Sequence, residues 1–307
     1  MPEPVSFEEQ VALFQATADS AKAHEEWATS RAEVIMPLLE EQSTVRPIFR
    51  YMRLAPGAQA RFDIPHEDVE CVWMLPQVGT TPTIQMETTS IMVDTFGLMG
   101  GVEYQEDVAR EGRVDMAQMV TRRLKNNFLI QEELAGWSLI KAHAAMLGGE
   151  QIIDGRNDDG GTTGQKKLNI HTINETITTG DTLGQGGRRV TNIYCSPRRF
   201  GDLRSAVTMA GLPDDLKMAV WNNGKGSDNV AELKFHKVYN QRLVDDNTAY
   251  AFTQKEGYFY GIMPVRELLN SRPNMLSPNE WKRGIQMRER LGFGVLDNLG
   301  LMIIRFD

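Results

Sequence analysis

The feature that most limits how this chain can fold is the stretch from Arg113 to Leu147, RVDMAQMVTRRLKNNFLIQEELAGWSLIKAHAAML, the longest helical pattern in its 307 residues. Apolar residues recur at Val120, Leu124, Phe128, Ile130, Leu134, Trp137, Ile140, Ala144 and Leu147. This three-and-four spacing lays one apolar stripe along a helix. No proline interrupts it. At 1.5 Å per residue the helix would run roughly 50 Å, longer than a compact domain needs to cover its own core, so it braces something elongated. Gly148-Gly149 is placed to close its C-terminus and Gly100-Gly101 lies well upstream. Gly136, inside the pattern, lowers helix propensity by about 1 kcal/mol relative to alanine, a cost that packing can offset.

The rest of the composition narrows the function classes. With 41% hydrophobic residues the chain can bury a sizeable core, as one large domain or two smaller ones. There is no apolar run of membrane-spanning length and no N-terminal signal pattern, so neither a membrane nor secretion is expected. Cys71 and Cys195 are far apart and outside any CxxC spacing, which suits free thiols in a reducing compartment. The formal charge of −8 weighs against tight nucleic-acid binding, which needs a clear surplus of lysine and arginine.

Before the long helix, Phe7, Val11, Phe14, Ala18, Ala21, Glu25, Ala28, Ala32, Ile35 and Leu39 fall at alternating steps of four and three, an apolar pattern broken only by the glutamate, which predicts an amphipathic helix ended or kinked near Met36 by Pro37. Its alanine-rich seam suits docking on another surface, either a neighbouring subunit, the favoured reading, or its own domain. From Thr44 to Pro82 the runs VRPIFRYMRL and ARFDIP flank Pro56-Gly57, which predicts a hairpin turning there. So little apolar surface makes the hairpin marginal alone, to be completed by its own domain or by an adjacent copy. Residues 83–104 carry the β-branched alternation of strands leading into the long helix.

Beyond Gly148, DGRNDDGGTTGQKK marks a boundary; Arg156 stands where a calcium loop needs an oxygen ligand, so a loop is expected and no metal. In TNIYCSPRRFGDLRSAV an apolar strand runs into Ser196-Pro197, an N-cap followed by a first-turn proline, and Phe200, Leu203 and Val207 continue as a helix stripe. Cys195 beside Ser196 lacks a nucleophile elbow, and none of the five histidines is near in sequence. The glycine-rich stretches Gly184 to Arg189 and Gly224 to Gly226 do not fit phosphate-cradling patterns. Glu132-Glu133 and Asp214-Asp215 are expected to be solvated helix faces or caps. No catalytic, cofactor-binding or metal-binding residues are assigned. The terminal LMIIRF is an apolar strand that must enter a sheet, pinning the C-terminus within the body.

Read in order, terminal helix, hairpin at about Ile48 to Leu75, strands, long helix with its QEELAGW middle, the TNIYCSPRRFGDL strand-to-helix step and the closing ERLGFGVLDNLGLMIIRF, the chain resembles the HK97-type major capsid proteins of tailed bacteriophages. The resemblance is one of order and texture over nearly the whole chain. It implies an α+β fold with an N-terminal helical arm (1–43), an extended E-loop hairpin (44–82), a P-domain with a spine helix (83–148), an α/β A-domain (149–255) and a returning segment shared by both domains (256–307). It implies a structural protein, not an enzyme, that self-assembles as hexamers and pentamers into an icosahedral shell enclosing double-stranded DNA contacted non-specifically. The shell would belong to the virion, be assembled in the host cytoplasm, and work with a portal, a scaffolding protein and a decoration or cement protein. Phe7, Val11, Phe14, Arg61, Arg122 and Arg123 are the expected inter-subunit contacts.

Some members are cross-linked through an E-loop lysine. Here no lysine occurs between Lys22 and Lys125, so noncovalent contacts or a helper protein must stabilise the shell. The sequence starts at Met1, and maturation cleavage of the arm is not expected. An encapsulin-type nanocompartment of the same fold and a soluble α/β enzyme remain the alternatives.

Overall fold

The computed structural model describes residues 11–12, 14–16, 43–55, 58–65, 88–105, 107, 110–157, 161, 164–183, 189–209, 227–230, 233–253, 261–275, 282–295 and 298–307. These form two sheets joined by the long helix, with a separate two-stranded ribbon.

The first sheet takes its strands from distant parts of the chain. Strand β1 (Phe49–Arg53) pairs in parallel with β10 (Gly261–Met275), which pairs antiparallel with β11 (Lys282–Leu291), and β11 pairs antiparallel with β4 (Phe96–Gln105) at the edge. The short β12 (Gly294–Val295) also joins β10. Across this sheet lies α1 (Val114–Ala144), whose 31 residues span roughly 46 Å. Leu124, Phe128, Trp137, Ile140 and Ala144 on it are buried, whereas Ile130 is exposed, outside the stripe.

Glycines let helix and sheet approach. A side chain at Gly100 would collide with Leu124 and Phe128, each less than 3 Å away, so the bare strand is where α1 rests on β4. Gly100-Gly101 is therefore the middle of a strand rather than a boundary ahead of the helix. Gly148 differs from expectation too. The helix ends at Ala144, and Gly148 has φ −71° and ψ 162°, extended backbone rather than a left-handed cap.

The strands expected to make a hairpin across Pro56-Gly57 do not pair with each other, and those two residues lie outside the described ones. The strands that flank them part company: β1 enters the first sheet beside β10, and β2 (Arg61–Pro65) pairs antiparallel with β3 (Thr88–Met92) in a ribbon of its own. The physical reason is burial. Ile48 and Phe49 are almost completely excluded from solvent, and that apolar surface is satisfied by the main core instead of by a thin hairpin.

The second sheet has the order β5-β13-β9-β6-β8-β7. Its strands are β5 (Ile152–Asp154), β6 (Val190–Cys195), β7 (Ser227–Val230), β8 (Leu233–Lys237), β9 (Thr248–Thr253) and β13 (Leu301–Arg305). Helices α2 (Ile170–Thr182) and α3 (Pro197–Met209) accompany it. Successive side chains of a strand point to opposite faces, and here both faces are buried. Tyr194, Tyr250, Phe252, Leu301 and Ile303 enter the core shared with α1 and the first sheet. Ile193, Cys195, Ala249, Ala251, Met302 and Ile304 enter a second core with α2 and α3 residues. The closing LMIIRF strand is thus central, and Arg199 stacks its guanidinium 4.3 Å from the Phe306 ring centroid. Ser196 caps α3 as its sequence suggests, accepting from the Arg199 amide at 3.4 Å, with Pro197 in the first turn.

Gly136 gives the sharpest test of this packing. An added methyl would overlap the Val45 side chain, so Gly136→Ala destabilises the fold by about 1–3 kcal/mol even though alanine is the better helix former. Urea unfolding of the purified variant against wild type checks the sign.

Candidate functional site

The side chains with the least ordinary environment meet on one turn of α1, within the sequence QEELAGW. Just before β1, Ser43 turns the chain, its Oγ accepting from the amides of Val45 (3.3 Å) and Arg46 (3.2 Å). Thr44 donates its amide (2.9 Å) and hydroxyl (3.0 Å) to Glu133 Oε1, and its Oγ1 accepts from Trp137 Nε1 at 3.1 Å. Val45 fills the notch at Gly136. Arg46 makes a two-pronged contact with Glu132, Nε to Oε1 at 2.7 Å and Nη2 to Oε2 at 3.0 Å, and reaches Glu289 Oε1 on β11 at 3.3 Å.

This cluster is buried: Glu289, Glu132 and Arg46 are 0%, 1% and 8% exposed. Glu132 is therefore no solvated face, contrary to expectation. Its position carried a signal, because Leu124, Phe128, Glu132, Gly136, Ile140 and Ala144 form an unbroken run at steps of four. Its neighbours in that run, Phe128 and Gly136, are buried, and Glu132 is buried with them. Two carboxylates share one guanidinium, and burial, reinforced by the neighbouring Glu132 charge, raises the Glu289 carboxyl to about 7. Trp137 extends the junction to the second sheet, meeting Tyr194 and Tyr250 edge-on at 5.8 and 5.4 Å between centroids.

Those of the expected contact residues that are described lie away from this junction, in three separate places. Val11 and Phe14 belong to a helical piece beside Gly112, at the start of α1. Phe14 is fully buried, with its ring 5.8 Å from that of Tyr104 on β4. Its apolar surface is packed within its own chain. Arg61 is exposed on β2, and Arg122 and Arg123 are exposed on α1. Phe7 lies outside the described residues.

The residues around the Cys195-Ser196 step are engaged in packing and capping. His236 on β8 is the register partner of Tyr194 on β6, stacks on its ring at 4.5 Å and bonds Asn192 Oδ1 at 3.1 Å. Cys195 points to the opposite face, inside the second core, where burial pushes its thiol up to about 12. Ser196 is fully buried and engaged as a cap. Arg156 turns to Glu175 in a two-pronged pair at 2.6 and 2.7 Å, an arrangement unlike a cation loop. Among the described residues no group of three or more His, Cys, Asp or Glu could hold a metal, and no helix is long and apolar enough to cross a membrane.

The junction makes a pH-dependent claim. The Glu289 carboxyl sits above its ordinary range in the folded chain, so its favourable contribution is complete below about 4.5 and is lost as pH rises through about 7. Glu289→Gln should therefore raise the melting temperature at pH 8 by about 2–4 °C and lose that advantage at pH 5. Glu132→Gln, which breaks the two-pronged contact, should lower it at both pH values. Differential scanning calorimetry across that range separates the two.

No protein-family model matches the sequence, and no curated protein matches it. Solved structures do. A structure described as Microbacterium phage Oxtober96 superposes with a TM-score of 0.58 at 15% identity, covering 86% of this chain and 91% of that one. The capsid of an empty GTA particle gives 0.57 at 10% identity, covering 86% and 89%. The capsid of Ralstonia phage GP4 gives 0.56 at 11% identity, covering 84% and 86%. At such identities the likeness speaks for fold alone: the chain has the α+β fold of phage capsid proteins of the HK97 type.

Proposed function

We propose that this chain is a shell subunit, the major capsid protein of a tailed bacteriophage, which self-assembles as hexamers and pentamers into an icosahedral shell around double-stranded DNA. In this reading the first sheet and α1 are the P-domain, the second sheet with α2 and α3 is the A-domain, and the β2–β3 ribbon is the base of the E-loop. The protein acts mechanically, without catalysis. Its place is the virion capsid, assembled in the host cytoplasm, with a portal, a scaffolding protein and a decoration or cement protein as partners.

Beside the fold, the observation that carries this reading is the ribbon. Among the described residues, strands β2 and β3 form a two-stranded sheet outside both larger sheets. Such a ribbon is marginal in water and gains stability from a further surface. A second copy supplies that surface in a closed assembly, where many contacts of about a kcal/mol each become stable through repetition.

The test is assembly itself. The full-length chain, purified alone or together with a scaffolding protein, should give closed particles in negative-stain microscopy; a compact monomer at assembly concentrations under both conditions sinks the proposal. Arg61→Glu, on the exposed face of the ribbon, should lower particle yield severalfold while leaving the subunit's melting temperature within about 2 °C of wild type, since an exposed charge contributes little to the fold. Normal particle yield from that variant would remove Arg61 from the contact.

A further inference from the structure

The outward ridge of α1 is unusual in a chain with 41 acidic and 33 basic residues. Between Met119 and Met146, roughly 40 Å of helix, no exposed residue is a carboxylate. The two carboxylates in that span, Glu132 and Glu133, are turned inward to Arg46 and Thr44. What faces solvent includes Arg122, Arg123, Asn126, Asn127, Gln131 and Ser138. Guanidinium and amide groups donate hydrogen bonds, and nothing negatively charged interrupts them.

We infer that this ridge is the face the subunit turns to the phosphate backbone of packaged duplex DNA. The inference rests on the shell reading and names the surface of the subunit that meets the contents. A phosphodiester accepts hydrogen bonds and donates none, so a donor ridge stripped of carboxylates complements it in charge and in hydrogen-bonding sense. The ridge is a poor core for a tight protein interface. Its large apolar residues, Met119, Ile130 and Met146, are scattered among small and polar ones, without the aromatic anchors that such interfaces concentrate. Two guanidiniums per copy give weak contact, and repetition across a shell makes it adequate without arresting DNA that must move during filling and release.

The test uses unassembled full-length subunits and a fluorescein-labelled 30-base-pair duplex of arbitrary sequence, titrated by anisotropy between 25 and 200 mM salt. Arg122→Gln with Arg123→Gln should weaken binding about tenfold at low salt and make the slope of log affinity against log salt shallower by about 2, one for each lost phosphate contact. Asn126→Glu with Ser138→Glu, which keeps the arginines and adds carboxylates, should weaken binding as well. Arg50→Gln with Arg53→Gln, exposed positions on β1, should leave it unchanged. Particle formation by the same preparations is scored separately, so failure of the shell reading shows as absent wild-type particles while the duplex titration still judges the ridge. Binding insensitive to Arg122 and Arg123, binding lost equally at Arg50 and Arg53, or double-glutamine subunits that keep DNA affinity but lose particles would each overturn the assignment; the last would make the arginine pair a subunit contact.

Discussion

The internal frame depends on one buried guanidinium. Arg46 is held by Glu132 from the helix and Glu289 from the sheet, and all three are shut away from water. Removing such ions from solvent costs several kcal/mol each, and the cluster carries one more carboxylate than cation, so net stability is not what it supplies. What it supplies is register. Slide the Ser43–Ile48 turn by one position and Arg46 loses its paired oxygens, while Val45 is driven out of the Gly136 notch into the helix. An ionised carboxylate left without its partner costs about 3–5 kcal/mol, enough to reject the slipped arrangement. The helix, the sheet and the segment entering β1 are thereby locked in one relative position.

The same turn of helix transmits that lock to the second sheet. Trp137 donates to Thr44 on one side and packs edge-on against Tyr194 and Tyr250 on the other. Those tyrosines belong to strands whose alternate residues fill the second core. A displacement of the turn would be felt through Trp137 in β6 and β9, because close-packed side chains have few small adjustments open to them. Long helices often serve only as covers; α1 serves as a shared wall between two sheets.

The parts of this arrangement that follow local rules were legible in the residues. The helix, the Ser196-Pro197 start of α3 and the burial of LMIIRF each depend on short-range periodicity or capping, which survive any tertiary context. The parts that depend on distant partners were not. Phe49 reads as half of a hairpin until β10 arrives from 212 positions later in the chain, Phe49 being opposite Gly261. Gly100 reads as punctuation until Phe128 lies on it. Glu132 is the instructive case: base rates place a Glu-Glu pair in solvent, but position 132 lies one turn from both Phe128 and Gly136 on the packed side of the helix, and Arg46 is the cation that makes burial tolerable.

A subunit built to be repeated needs two kinds of surface, and they are segregated here. Where the chain stands alone it is over-determined: both faces of the second sheet are buried, and one helical turn holds three elements at once. Where it is proposed to meet copies or contents it is unfinished: a ribbon with two strands and a helix ridge with donors and no carboxylates. The segregation has an energetic reason. Contacts repeated many times over a shell must each be weak, or errors in assembly could not be undone, so a subunit cannot rely on them for its own shape. Shape has to come from inside, and costly buried ions that specify register are the kind of interaction that provides it without adding adhesive surface outside.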